Sequence, residues 1–570
     1  MATRSKSFKV QGHTRKIVFS PACRLAALFA MLLIAGAGAG GAAAQSNQPL
    51  APTPPMGWND WAHYQCGFNA QTILDNARAP VSTGLAARGY NTVTIDDCWM
   101  LKDRDAHGNL QPDPRRFPQG MKPVADAIHR MGLKFGIYED SGYATCGGFA
   151  GSGWPKGSGP NQGTDHFVQD ARLFASWGVD YLKLDGCNLY VKNPRDNLEA
   201  YRKAYAEEQA ALKSVGRPIV FSESAPAYFE FDPEWYDVLA WVRGYGQLWR
   251  EGDDMANYSA KKPDDPRFQS VLFNYAYNLP LGRFQKSGNW NDADFIIGGD
   301  PGMSLAESRS QMALWAMMSA PLILSSDVGR LSPDAIAILG NKRVIAIDQD
   351  ALGRDATLVQ RTPVTDLLFK PLKGGDYAVA LLNRGDAPVR LQISLAGLGF
   401  AANPGCRFVA EDLWSGNHLV ALTSISANVE SHDTGIWRIQ LRSDCGAPSR
   451  TGAIVMTTDK PHESIDGYAH CLAANSVEDC SGRPAELWTV TARGALKSAD
   501  GCLAAAGGLP ALEACNGSLA QQWRYSLAGN LVNAETNLCL TNTSAGAASQ
   551  PLTLQACGHN QLNQIWSLPN

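Results

Sequence analysis

Beyond its first 44 residues the sequence has no long apolar run, it has no CxxC pair, and neither sign of charge is in real excess. Each absence removes a class of protein. A transmembrane span needs about 18 consecutive apolar residues, and none is found after the N-terminus. With no CxxC and only 10 scattered histidines, structural zinc lacks its ligand spacing. Lys and Arg number 50 against 54 Asp and Glu, a net charge of −4, so a nucleic-acid phosphate backbone has no basic surface to neutralise it. Hydrophobic residues make up 45% and charged residues 18%, which excludes a disordered chain and a charged scaffold. At 570 residues the chain exceeds a single core, and roughly two to four domains are expected.

Residues 1–24 carry Arg4, Lys6, Lys9, Arg15, Lys16 and Arg24, followed by the apolar run 25–34 and an Ala/Gly taper ending at Ala42-Ala43-Ala44. A basic segment, a short apolar run and an A-x-A site describe a secretory signal, cut after Ala44. A secreted or periplasmic protein, with no membrane association after cleavage, is the expectation. Cys23 leaves with the signal, so 13 cysteines become 12, an even number in an oxidising compartment. Disulfides are the expected use.

From about 52 to 340, short β-rich runs alternate with amphipathic segments. The runs are Met56–Asn59, Asn91–Asp97, Lys134–Asp140, Asp180–Asp185, Pro218–Ser224, Val238–Arg243, Trp290–Phe295 and Pro321–Asp327. Helical patterns lie between them at Met121–Met131, Asp165–Trp177, Asn197–Lys213 and Ser304–Met318. Eight such units predict an α/β fold, a (β/α)8 TIM barrel. Almost every run ends in a polar or acidic residue (Asp97, Asp140, Asp185, Ser224, Asp327), at the end of a strand where barrels build their chemistry. Residues 345–447 alternate apolar with polar positions between Gly, Asn and Asp turns, which predicts an antiparallel β-sandwich. Residues 455–570 repeat a pattern three times: Cys471, Cys502 and Cys539 each precede a second cysteine, and each unit closes on Trp488, Trp523 or Trp566. That closure resembles the ricin-B type β-trefoil, whose resemblance implies carbohydrate binding. Sugar-binding repeats of that type often carry Asp just after Cys-Leu, whereas Ala473, Ala504 and Thr541 stand there in this chain.

Three acidic clusters fall where a barrel would aim them at one pocket. Asp96 and Asp97 end one run, Lys183 and Asp185 share a face of another at a spacing of two, and Arg250, Glu251, Asp253 and Asp254 follow Trp249. No Ser-His-Asp elbow, phosphate loop or dinucleotide fingerprint accompanies them. Carboxylates flanked by Trp and Tyr, with Lys and Arg at hand, suit glycoside hydrolysis, which needs one carboxylic acid to protonate the leaving oxygen and one carboxylate to attack or to activate water. A cation such as Lys183 keeps Asp185 ionised.

These segments carry a family resemblance. Met56-Gly-Trp-Asn59, Ile95-Asp-Asp-Cys-Trp99, Asp113-Pro-Arg-Arg-Phe-Pro118, Gly136-Ile-Tyr-Glu-Asp140, Asp180-Tyr-Leu-Lys-Leu-Asp-Gly-Cys187, Trp290-Asn-Asp-Ala-Asp294 and Gln311-Met-Ala-Leu-Trp-Ala316 resemble the family 27 glycoside hydrolases over about residues 52–440. That family includes α-galactosidases and α-N-acetylgalactosaminidases. The resemblance implies a retaining double displacement with no metal and no cofactor, acting on a carbohydrate with a terminal α-linked galactose. It implies Asp185 as nucleophile and Trp58, Asp96, Asp97, Tyr138, Lys183, Arg250 and Asp294 as the lining of a galactose pocket. It implies the disulfides Cys66–Cys98 and Cys146–Cys187. Arg250, Asp254 and Met255 fit the family's acid/base motif without a gap, with Asp253 as the rival. After the fifth strand, Glu223 falls where the family has a bridging Cys and Ser224 where it has the Glu that reads the 2-hydroxyl; the other half of that bridge falls at Gly246. Glu223 is expected to take over the 2-hydroxyl contact, the alternative being a roomier pocket at Ser224 and Ala227 for an N-acetyl group. β-L-arabinopyranosidase activity is a further alternative, against which the Asp96-Asp97 pair argues.

Overall fold

The structure, a computed structural model, describes residues 49–153, 165–189, 194–230, 232–401, 405–443, 445–456, 470–543 and 550–570. The signal-like segment 1–44 lies outside the described residues, as does 457–469 within the expected trefoil.

Eight parallel strands form the first sheet: β1 Met56–Asn59, β2 Thr92–Ile95, β3 Lys134–Asp140, β4 Tyr181–Asp185, β5 Val220–Glu223, β6 Leu248–Arg250, β7 Trp290–Asp292 and β8 Leu322–Leu324. Their order is β7-β6-β5-β4-β3-β2-β1-β8. A parallel bridge from Ile296, just past β7, to Leu324 in β8 links the two sheet edges. The architecture is a TIM-like barrel, an antiparallel sheet region and a C-terminal ricin-type module.

Side chains alternate across a strand, so register decides which residues look inward. Tyr138 pairs with Lys183, Asp140 with Asp185, and Lys183 with Ser222. A narrow interior cavity is lined by Asn59, Thr94, Lys183, Ser222, Arg250 and Asp292 among others, which marks this parity as the inner face. The opposite parity, Leu182, Leu184, Phe221 and Trp249, is buried against the helices. The inner face is crowded: a Cβ on Gly136 would come 2.3 Å from the Thr94 hydroxyl.

Seven of the eight expected runs contain the barrel strands. The exception is Val238–Arg243, which is helical: the helix is Trp235–Val242 and Arg243 caps it. Four of its five buried positions, Trp235, Val238, Leu239 and Val242, follow the i, i+3, i+4, i+7 rule, the mark of a helix face rather than of a strand. The sixth strand is the three-residue Leu248–Arg250 instead. The four expected helices form, and Ser304 closes a capping box with Glu307 at the start of Leu305–Met318. Ala70–Thr83, absent from the sequence reading, starts where the Asn69 side chain accepts from the Thr72 amide.

Downstream, Thr357–Arg361, Thr365–Pro371, Tyr377–Asn383, Arg407–Asp412, His418–Leu422 and Thr434–Ser443 build a six-stranded sheet, faced by the pair Val389–Ser394 and Ser424–Val429. Phe369, Val379, Leu381, Ile393, Phe408, Ile425 and Ile439 fill the space between. In the C-terminal region each repeat is locked the same way. The indole N–H groups of Trp488, Trp523 and Trp566 donate to the carbonyls of Leu472, Leu503 and Leu540 at 2.7, 3.0 and 3.0 Å. The residue two before each Trp (Glu486, Gln521, Gln564) accepts from a turn amide, so the threefold sequence pattern is a threefold bonding pattern. This module also touches the barrel, His559 lying 2.8 Å from Asp237 and Arg283 donating to the Leu527 carbonyl at 2.7 Å.

Six disulfides form: Cys66–Cys98, Cys146–Cys187, Cys406–Cys445, Cys471–Cys480, Cys502–Cys515 and Cys539–Cys557. They use all 12 cysteines that follow the signal-like segment. No helix among the described residues is long and apolar enough to cross a membrane.

Candidate active site

The inner parity of β2, β3 and β4 brings the first group together. Lys183 Nζ donates to Asp96 Oδ2 at 2.9 Å, and Asn59 Nδ2 reaches the same oxygen at 2.7 Å. Asp96 Oδ1 accepts from the Asp97 amide at 2.9 Å, while the Asp96 amide donates to Asp60 Oδ1 at 2.7 Å. Lys183 also sits 5.3 Å from the Tyr138 ring centre and 5.2 Å from that of Phe295, a cation over two aromatic faces. Burial alone would push this ammonium down, but the attraction of Asp96, Asp185 and Asp254 holds it above its ordinary range. One cation thus senses carboxylates from three different parts of the chain.

Asp97 is placed differently. Its two oxygens accept from the amides of Cys98 at 2.6 Å and Gly147 at 2.7 Å, so it pins the loop that carries Cys146. Burial raises its carboxyl above the ordinary range despite those donors.

The second group stands at β6. Arg250 is buried, its Nη1 lies 2.9 Å from Asp294 Oδ1, and its Nη2 lies 3.1 Å from Asp254 Oδ1. Nη2 also donates to the carbonyls of Gly252 and Asp253, at 3.0 and 2.6 Å, which fixes the acidic turn to the strand end. Asp254 keeps 64% of its side chain exposed while Asp294 keeps 1%, so of Arg250's two partners only Asp254 opens to solvent. Desolvation pushes the Asp254 carboxyl up, but Arg250 and then Lys183 outweigh it and hold the group below the usual carboxylate range. Asp253 folds its carboxylate back onto the Asp254 amide at 3.0 Å. Asp294 takes a left-handed φ of 72° and accepts from the Met255 amide, so it positions Arg250 and the turn from behind.

Asp185 ends β4. Its Oδ1 accepts from the Gly186 amide at 3.0 Å and from the Tyr228 hydroxyl. Asp140, its register neighbour, accepts from the amides of Gly142 and Cys187 at 2.6 and 3.0 Å. Burial and then the charge of Asp185 push the Asp140 carboxyl well above its ordinary range. Donor atoms of Asp140, Cys146, Asp185 and Cys187 lie within 4.8 Å of one another, but both sulfurs are tied in the disulfide and offer no thiolate.

Two expected lining residues stand elsewhere. Trp58 has the outer parity of β1, and its Nε1 donates to the Ser326 carbonyl at 2.9 Å. Glu223, expected at the 2-hydroxyl, pairs in register with Leu184 and Trp249 and faces outward. Its Oε1 accepts from the Gly246 amide at 2.5 Å, so it joins the two places that the resemblance would join by a disulfide. Strand parity is the reason: Ser222 and Ser224 hold the inner positions, and Glu223 lies between them. Ser224 is buried at 4% exposure, and its amide donates to the Leu184 carbonyl at 3.1 Å. Sequence reasoning gave no role to Asn59, Asp60 and Tyr228, and placed Asp140 at a strand end without assigning it one.

Burial of carboxylates sets a pH dependence of stability. Desolvation raises Asp294 to about 7 and Glu230 and Asp348 each to about 8. In an unfolded chain such groups titrate near about 4, so between about pH 4 and 8 the native state binds more protons and stability falls as pH rises. Lys370, lowered by burial to about 8, stays charged in both states below that pH and offsets nothing in the window. Calorimetry is expected to give a Tm at pH 5 higher than at pH 8 by about 3 °C or more; a Tm that climbs across the interval contradicts this.

Comparisons with known proteins bear on the whole chain. The family model described as alpha galactosidase A matches residues 53–350, and the alpha galactosidase C-terminal beta sandwich domain matches 363–439. The ricin-type beta-trefoil lectin domain matches residues 458–566. The chain is 38% identical to alpha-galactosidase A of Aspergillus niger, over 91% of this chain and 92% of that protein. It is 37% identical to an alpha-galactosidase of Oryza sativa subsp. japonica, over 67% of this chain and 84% of the other. The crystal structure of alpha-galactosidase I from Mortierella vinacea matches with a TM-score of 0.60 at 30% identity, covering 69% of this chain and 98% of that one.

Proposed function

The chain belongs to the alpha galactosidase A family, and on that premise we propose that it is an exo-α-galactosidase that works by a retaining double displacement. Asp185 attacks the anomeric carbon of a terminal α-galactosyl group while Asp254 protonates the departing oxygen. Asp254 then removes a proton from water, which opens the glycosyl ester and returns Asp185 as a carboxylate. Asp96, Asp97, Tyr138, Lys183, Arg250 and Ser224 shape the galactose site around them, with Asp294 holding Arg250. The observation that carries this reading is the narrow interior cavity that Lys183 and Arg250 line together, Lys183 two residues before Asp185 on the inner face of β4 and Arg250 Nη2 3.1 Å from Asp254 Oδ1. Asp254 is preferred to Asp253 because Arg250 Nη2 reaches it at 3.1 Å and Lys183 acts on it, whereas the Asp253 carboxylate is turned back onto the Asp254 amide.

Secretion or periplasmic export through the segment 1–44, and binding of a galactose-bearing polysaccharide by the ricin-type module, belong to the same reading. So does division of the remaining chain into 52–340, 345–447 and 455–570, supported by separate apolar clusters in the second and third parts. No cofactor, nucleic acid or membrane enters the scheme.

The test compares turnover of nitrophenyl α-galactoside, α-N-acetylgalactosaminide and β-L-arabinopyranoside. The α-galactoside is expected to lead by about tenfold or more in kcat/KM. Leadership by either of the others replaces galactose as the substrate, and no turnover of any leaves a carbohydrate-binding protein without catalysis.

A further inference from the structure

Asp185 is bonded asymmetrically, and the asymmetry distinguishes its two oxygens. Oδ1 accepts two hydrogen bonds, from the Gly186 amide at 3.0 Å and from the Tyr228 hydroxyl. Oδ2 has no hydrogen-bond donor among the described residues: its near neighbour is Cys146 Sγ at 3.7 Å, and that sulfur, bound to Cys187, carries no proton. The Tyr228 ring is fixed from behind. Its Oη lies 3.1 Å from Cys187 Sγ, its ring centre is 5.4 Å from that of Tyr201, and a Cβ on Gly186 would come 2.9 Å from it. A tyrosine so held points its proton at one carboxylate oxygen and leaves the other oxygen's lone pairs open.

We propose that Tyr228 is a positioning residue that makes Oδ2 the attacking oxygen of Asp185 and Oδ1 the carbonyl oxygen of the glycosyl ester. The proposal rests on the retaining reading above. In the first step the Oδ2–C1 bond forms, the bond from C1 to the leaving oxygen breaks, and the Asp254 proton goes to that oxygen. In the second, water attacks C1, its proton passes to Asp254, and the electron pair of the C1–Oδ2 bond returns to Asp185. The hydrogen bond to Oδ1 weakens as the carboxylate becomes an ester and strengthens as the ester reverts to a carboxylate. Tyr228 therefore helps the second step, in which Asp185 leaves, more than the first, in which it attacks.

Tyr228→Phe separates this role from packing, because the ring and its contacts remain. On an activated α-galactoside, kcat is expected to fall about tenfold to a hundredfold, the worth of one hydrogen bond to a charged group. KM is expected to fall with it, because the glycosyl enzyme accumulates, so kcat/KM changes much less than kcat and a pre-steady-state burst appears. The other groups that face Asp185 are unchanged by the substitution: Lys183 on its own strand, Tyr138 and Asp140 on β3, and Tyr201 and Tyr205 on the helix Pro194–Ser214. An unchanged kcat, the absence of a burst, or an equal fall in kcat and kcat/KM with a lowered Tm would overturn the proposal. Wild-type protein without α-galactoside turnover overturns the underlying reading instead, so the two failures are distinguishable.

Discussion

Replacing Asp185 with Ala is expected to lower kcat on an activated α-galactoside by roughly 10⁴-fold or more, with the fold intact. The magnitude follows from the neighbourhood. The nearest other carboxyl is Asp140, which is fully buried, is engaged by the amides of Gly142 and Cys187, and is pushed toward its neutral form by burial and by Asp185 itself. A fully buried carboxyl with both oxygens engaged is no substitute nucleophile. Removal of Asp185 also relieves its repulsion with Asp140, so Tm is expected to hold or rise, as is common when a strained site residue is deleted. Azide, small and anionic, fits where the carboxylate was, and is expected to restore turnover and to yield the β-galactosyl azide, the product of one displacement. Turnover near the wild-type rate would remove Asp185 from the mechanism.

The second large effect belongs to Asp254. Asp254→Ala is expected to cost about 10³-fold in kcat/KM on a galactosyl disaccharide, whose leaving oxygen needs a proton, and far less on a nitrophenyl galactoside, whose leaving group departs as an anion. Azide is expected to accelerate the second step in this variant and give the α-galactosyl azide. The pH profile carries an independent sign. Arg250 and Lys183 hold this carboxyl below the usual carboxylate range, so the protonated fraction needed by the free enzyme shrinks as pH rises. Wild-type kcat/KM is therefore expected to decline as pH rises out of the acid range, and the variant to lose that decline. A variant equally slow on both substrates contradicts the assignment, and the same leaving-group test applied to Asp253→Ala is expected to show little effect.

How much of this was legible in the sequence depends on what each residue answers to. Acids at strand ends could be read because an apolar run stops on them, as at Ile95-Asp96 and Leu184-Asp185, and because spacing of two puts Lys183 and Asp185 on one face. The threefold Trp pattern could be read because each Trp performs the same bond in its repeat. The sixth strand could not: Leu248–Arg250 is three residues long, too short to show alternation, while the neighbouring Trp235–Val242 has the apolar density of a strand and the spacing of a helix. Glu223 was misplaced because an ungapped comparison fixes sequence position but not parity, and a single-residue offset turns a side chain from the pocket to the outer layer. Asn59 and Tyr228 act through a partner, Asp96 and Asp185 respectively, and a residue whose role is to hold another has no pattern of its own until the fold brings the two together.

The account stands on a covalent bond between galactose and Asp185. The most direct measurement is a trapping experiment: incubate the protein with a fluorinated galactosyl donor whose second step is slow, digest it, and locate the added mass by peptide sequencing. The account predicts one galactosyl group on Asp185, in the stretch Tyr181–Cys187. Label on another carboxylate, or hydrolysis of the donor with inverted configuration and no label, would contradict it.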